Sequence, residues 1–180
     1  MATSTHEEQL YRIFNNVNDW LKFAEAKNAM LIAFNSASIY GIAQALNLDC
    51  IKGQKFIEGY LMFVIVLLIF STITALLSFV PKVKIITGSY YAPGNVPNVL
   101  FFEYLKTKSN VEIIQEVTGI SPTIQAPYAR IELDIAEQIK QNSIIASAKY
   151  SYFTIAVWIT TVAYVTLPIA VIYFLYRYIR

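Results

Sequence analysis

Leu61–Val80 reads LMFVIVLLIFSTITALLSFV. It is dense in large and β-branched apolar side chains. The surrounding run without Asp, Glu, Lys or Arg extends from Gly59 to Val80, between Glu58 and the Pro81-Lys82 pair. About 20 helical residues cross the ~30 Å hydrocarbon core of a bilayer, so a run of this length reads as a transmembrane helix. The core helix of a soluble protein is the competing reading. Composition decides against it. The chain has 180 residues, 56% hydrophobic and 14% charged, whereas soluble domains carry roughly 25% charge.

Two further charge-free runs lie on either side. The longer is Tyr150–Tyr176, between Lys149 and Arg177. Tyr150, Tyr152, Tyr173, Tyr176 and Tyr178 cluster near its ends, as interfacial aromatic belts do. Pro168 is expected to kink it. The other is Asn28–Leu48, between Lys27 and Asp49, and it is more polar. Asn35, Ser38 and Gln44 are costly against lipid, so this polar face is expected to meet other helices or water. Ala29, Ala33, Ala37, Gly41 and Ala45 recur at every fourth position, a ridge that permits close helix approach. Packing against the second span and self-association both remain open for this ridge.

Leu10, Ile13, Phe14, Val17, Trp20, Leu21 and Ala24 recur at helical steps ahead of the first span. No Pro or Gly intervenes, so one helix is expected from about Glu7 to about Asn47, roughly 60 Å long. The middle of the chain begins with turn formers (Gly88, Pro93, Gly94, Pro97), with a short strand over Val83–Tyr91. Asn98–Lys106 reads as a helix. Ser109 and Glu112 make a capping box that opens a helix over Val111–Val117, and Gly119 stops it. From Tyr128 to Tyr178 a second long helix is expected, with Ile131, Ile135, Ile139, Asn142 and Ala146 on one face.

These elements predict an all-α membrane protein with three transmembrane helices. Two of them extend into a small, mainly helical cytoplasmic domain. Residues 1–27 form an amphipathic helix and 28–48 the first span. A loop covers 49–58, the second span 59–80, the sensor segment 81–149, the third span 150–177 and a tail 178–180. No cleavable signal peptide is expected, because charged side chains recur from Glu7 to Lys27. Lys22, Lys27, Lys82, Lys84, Lys140 and Lys149 flank the spans on the side of the N-terminus and middle segment, against Lys52, Lys55, Arg177 and Arg180 on the other, which favours a cytoplasmic middle segment.

Catalytic and metal-binding constellations are not evident, so neither an enzyme nor a resident cofactor is expected. The one histidine, His6, falls in an N-terminal tail. Cys50 stands alone, excluding an internal disulfide. Glu132, Asp134 and Glu137 read as a solvated helix face. The net charge of +2 gives no argument for nucleic acid. Lys106, Lys108 and Arg130, with Tyr104 among neighbouring aromatics, are the types a nucleotide pocket needs: cations for phosphate, ring faces for a base.

Four local patterns, in order, resemble the transmembrane effectors of bacterial Pycsar antiphage defence. They are Trp20-Leu21-Lys22-Phe23-Ala24-Glu25-Ala26-Lys27-Asn28-Ala29, Leu77-Ser78-Phe79-Val80-Pro81-Lys82, and Asn98-Val99-Leu100-Phe101-Phe102 followed by Glu103-Tyr104-Leu105. The fourth runs from Leu133 through Glu137-Gln138-Ile139 and Asn142-Ser143-Ile144-Ile145-Ala146 to Lys149-Tyr150. Glu25 departs from the aspartate expected in the acidic-x-Lys motif.

The resemblance implies an effector in the inner membrane that answers a cyclic pyrimidine mononucleotide (cCMP or cUMP) or a related nucleotide by disrupting the bilayer, so that infection aborts. A homo-oligomer fits this reading, with no nucleic acid as partner. A passive anchor recruiting a soluble partner is the alternative from a different class.

Overall fold

The computed structural model describes residues 5–80, 98–121 and 128–179. Among them are five helices: α1 (Thr5–Ala45), α2 (Lys55–Leu77), α3 (Phe102–Leu105), α4 (Asn110–Thr118) and α5 (Arg130–Ile179). No strand occurs among the described residues, and the strand expected over Val83–Tyr91 lies outside them. His6, expected in a tail, belongs to α1.

The residues divide into two compact units, one of Met1–Glu25 with Lys84–Ser151, the other of Ala26–Val83 with Tyr152–Arg180. In the first unit, Leu10, Ile13 and Val17 of α1 pack with Leu105, Ile113, Ile114, Ile135, Ala136 and Ile139. Full burial of one such aliphatic side chain is worth about 1.5–3 kcal/mol. Helix α4 needs that packing, since a helix of 9 residues is unstable alone. Its ends follow local chemistry. Ser109 Oγ accepts from the Glu112 backbone N–H at 3.3 Å, and the Glu112 carboxylate accepts from the Ser109 N–H at 2.7 Å. Gly119 closes the helix at φ 72°, a left-handed conformation that favours glycine.

In the second unit Val64 and Leu68 of α2 and Ala163 of α5 are fully buried, flanked by Ile39, Ile42, Tyr60, Leu67 and Tyr164. This core is thin. Met62, Phe63, Phe70 and Ile73 on α2, and Trp158, Val162 and Val165 on α5, remain exposed.

Two helices among the described residues are long and apolar enough to cross a membrane: α2 over Lys55–Leu77 and α5 over Arg130–Tyr173. Only 28% and 19% of their most apolar windows is buried within the chain. A soluble core helix would have most of that surface covered. The expected third span, Asn28–Leu48, which α1 covers as far as Ala45, falls short of the same measure. Its asparagines, serines and Gln44 dilute the apolar content, which in α2 runs unbroken from Leu61 to Phe70. Helix α5 is continuous through Pro168.

Candidate functional site

In the first unit each expected cation has a carboxylate beside it. Lys106 follows α3, and its Nζ lies 2.5 Å from Glu103 Oε2 while donating to Ser147 Oγ at 2.8 Å. Both charged side chains are nearly buried, at 16% and 5% exposure. Removing one partner of such a pair strands the other charge, which costs about 3–5 kcal/mol. Lys106 is therefore committed to structure before any ligand arrives.

Lys108 reaches across the α3–α4 turn to Glu116 at 2.9 Å, and its ammonium lies 4.7 Å from the centre of the Tyr104 ring. Hydrogen bonding to Glu116, then to Tyr104, raises Lys108 above its ordinary pKa. Burial, then the Glu116 carboxylate, raises the Tyr104 phenol. Arg130 differs: it is 95% exposed and only 3.9 Å from Asp134 Oδ2, a contact that leaves its fork of donors open to solvent. Of the four expected ligand residues, Tyr104 and Lys108 touch each other, while Lys106 and Arg130 each have their own carboxylate partners.

Sequence reading missed a nearby aromatic cluster. Trp20 lies 5.6 Å from Phe102, 6.2 Å from Phe101 and 6.2 Å from Tyr150. Phe102 and Tyr150 stack at 5.2 Å. Beside them Glu25 pairs with Lys149 at 3.1 Å. The acidic-x-Lys motif and the Lys149-Tyr150 motif, far apart in sequence, thus meet in one place.

The expected polar face of the first span divides three ways. Asn35 is fully buried. Its Nδ2 donates to Ser71 Oγ at 2.9 Å, and its Oδ1 accepts from Thr160 Oγ1 at 3.1 Å. Ser71 has one proton for two acceptors, the Ala156 carbonyl at 2.7 Å and Thr160 Oγ1 at 2.8 Å. When it takes Thr160, Asn35, Ser71 and Thr160 form a closed ring of three hydrogen bonds joining α1, α2 and α5. Asn35 therefore lines no aqueous face in this structure, because interhelical partners satisfy its amide. Ser38 is half-buried, donates to the Phe34 carbonyl at 2.7 Å and accepts from the Tyr164 hydroxyl. Gln44 is exposed.

The small-residue ridge is turned outward. Ala29, Ala33, Ala37 and Gly41 are exposed and Ala45 is half-buried. A Cβ added at Gly41 would meet nothing within 4 Å. Within the second unit the contact of α1 with α2 and α5 runs instead through Asn35, Ser38, Ile39 and Ile42.

No curated protein and no solved structure matches the chain. The family model of the Pycsar effector protein domain matches residues 9–176. That span takes in both units, the aromatic cluster and the Asn35 ring, and the chain belongs to the family of Pycsar effector proteins.

Proposed function

We propose that this chain is a membrane-embedded antiphage effector, held closed at rest and opened by a cyclic pyrimidine mononucleotide. The observation that carries this reading is the family match over residues 9–176. The apolar exteriors of α2 and α5 support a place in the inner membrane. The segment Asn28–Leu48, helical in α1 as far as Ala45, makes the third crossing, its Asn35 amide shielded by Ser71 and Thr160. The first unit is cytoplasmic and binds the nucleotide. Action is by binding and change of shape, not by catalysis.

A ligand shifts such an equilibrium only by binding one state better than the other. Helices α1 and α5 each have residues in both units. A displacement at their ends in the first unit is carried along the same hydrogen-bonded backbone. The Asn35–Ser71–Thr160 ring is the lock that such a displacement must break. Copies associate through the outward ridge of Ala33, Ala37, Gly41 and Ala45, and opening exposes polar groups that thin or perforate the bilayer.

Liposomes loaded with a self-quenched dye test the proposal. Reconstituted protein should release dye on addition of cCMP or cUMP and hold it without them. Absence of nucleotide-dependent release across lipid compositions and ligand concentrations would refute it.

A further inference from the structure

Two of the clefts among the described residues of the first unit share Tyr11. The larger, about 510 Å³, is lined by Glu8, Gln9, Tyr11, Arg12 and Asn15. The smaller, about 230 Å³, is lined by Tyr11, Phe14, Ile131, Asp134, Ile135 and Gln138. The larger lies within the range of about 300–1,000 Å³ usual for small-molecule sites, and the two together have room for a mononucleotide.

Their chemistry is graded. Arg12 is exposed and, unlike Lys106 and Lys108, has no ion pair among the described residues. Its guanidinium fork is suited to bidentate contact with a phosphate. Gln9 and Asn15 add neutral donors on the same wall. Tyr11, 41% exposed, lines both clefts and stands at their junction. Beyond it the floor becomes apolar with Phe14, Ile131 and Ile135. Asp134 and Gln138 border that floor, a carboxylate that only accepts and an amide that both accepts and donates. Exposure of Ile131, at 44%, is otherwise unexplained for a residue on the inward stripe of α5. Arg130 stands one turn before Asp134, with its Nε 3.9 Å from Asp134 Oδ2.

We infer that this groove, not the Lys106–Lys108 region, is the nucleotide site of the effector. Arg12 takes the phosphate, Tyr11 stacks on the ligand's ring, and Asp134 and Gln138 read the polar edge of the base over an apolar floor. The inference rests on the nucleotide-sensing reading given above and fixes its location. Glu8 supplies a further sign test. It is the acidic side chain on the Arg12 wall, so its charge opposes an incoming phosphate.

The experiment is equilibrium binding of cCMP and of cUMP to the full-length protein in detergent micelles. It compares wild type with Arg12→Gln, Glu8→Gln and Lys108→Gln, with the thermal midpoint of each recorded. Arg12→Gln should weaken binding about 10- to 100-fold, the value of a lost charge-assisted contact. Glu8→Gln should tighten it about 2- to 5-fold, and Lys108→Gln should leave it unchanged. Thermal midpoints should hold for Arg12→Gln and Glu8→Gln, whose side chains are exposed. Binding that survives Arg12→Gln undiminished overturns the groove while leaving nucleotide sensing intact. Weakening by Glu8→Gln also overturns it. Failure of wild type to bind either nucleotide removes both the groove and the reading beneath it.

Discussion

Asn35 shows how a single residue changes meaning once its neighbours are known. In sequence it is a polar group in an apolar run, with other helices or water as its expected partners. In the structure Ser71 and Thr160 take that place, 36 and 125 positions away along the chain. Ser71→Ala removes the hinge of the ring and leaves the Asn35 amide and Thr160 hydroxyl short of partners. Interhelical hydrogen bonds in membranes average about 0.6 kcal/mol, with a maximum of about 1.7. Ser71→Ala should lower stability within that range, read as a reduced midpoint of unfolding in mixed micelles. If the ring is the resting lock, the same variant should also leak dye from liposomes without nucleotide. Asn35→Leu should leak as well, since it abolishes both bonds of the amide. Variants as tight as wild type would show that the ring holds the helices together but does not gate them.

At the scale of elements, what local spacing dictates was legible. The stripe Leu10, Ile13, Val17 and Ala24 is buried as its helical period requires, and the long helices α1 and α5 follow from the lack of a breaker between each protruding half and its span, Pro168 lying further on within α5. The capping box at Ser109 and Glu112 and the stop at Gly119 appear where the sequence puts them. Partnerships set by packing were not legible. Nothing local tells that Lys106 meets Ser147, or that Lys108 is held by Glu116. The cations chosen as ligand residues were for that reason mostly those already engaged.

The ends of α4 carry a prediction with a definite sign. The Ser109 backbone, then its hydroxyl, holds Glu112 below its usual pKa. Gln141 and then Asn110 do the same for Glu137. Contacts of 2.6 Å from Gln141 and 2.8 Å from Asn110 are the cause in the second case. A carboxylate with a lowered folded-state pKa contributes stability above its unfolded value, here 4.5. That contribution fades as the pH falls from there through the folded value. The midpoint of unfolding should thus be level from neutral pH to about 5 and then drop. Ser109→Ala should cost about 1 kcal/mol at neutral pH as a lost cap, and should flatten part of the acid drop. An unchanged acid profile in this variant would mean that Glu112 is not among the groups responsible.

For the whole molecule the question is what covers the surface this chain leaves bare. Lipid suits the leucines, valines and phenylalanines of α2 and α5. It suits the exposed face of α1 less well. Ser36, Ala37, Tyr40, Gly41 and Gln44 fall on one side of that helix and are exposed, and a glutamine amide facing acyl chains is costly. A second copy would satisfy the amide, and the small side chains would let the backbones approach. Gly41 makes this testable without harm to the single chain, since a side chain there points into open space. Gly41→Ala should leave the protomer as stable or stabilise it by about 0.5–1 kcal/mol, because glycine is a poor helix former. Ala37→Leu combined with Gly41→Leu should fill the ridge. Cross-linking in liposomes should then fall toward the monomer, while the unfolding midpoint in micelles holds and nucleotide-triggered dye release disappears. Oligomers of undiminished yield would place the contact between copies elsewhere. Lost cross-linking with dye release intact would instead make the membrane damage the work of single chains.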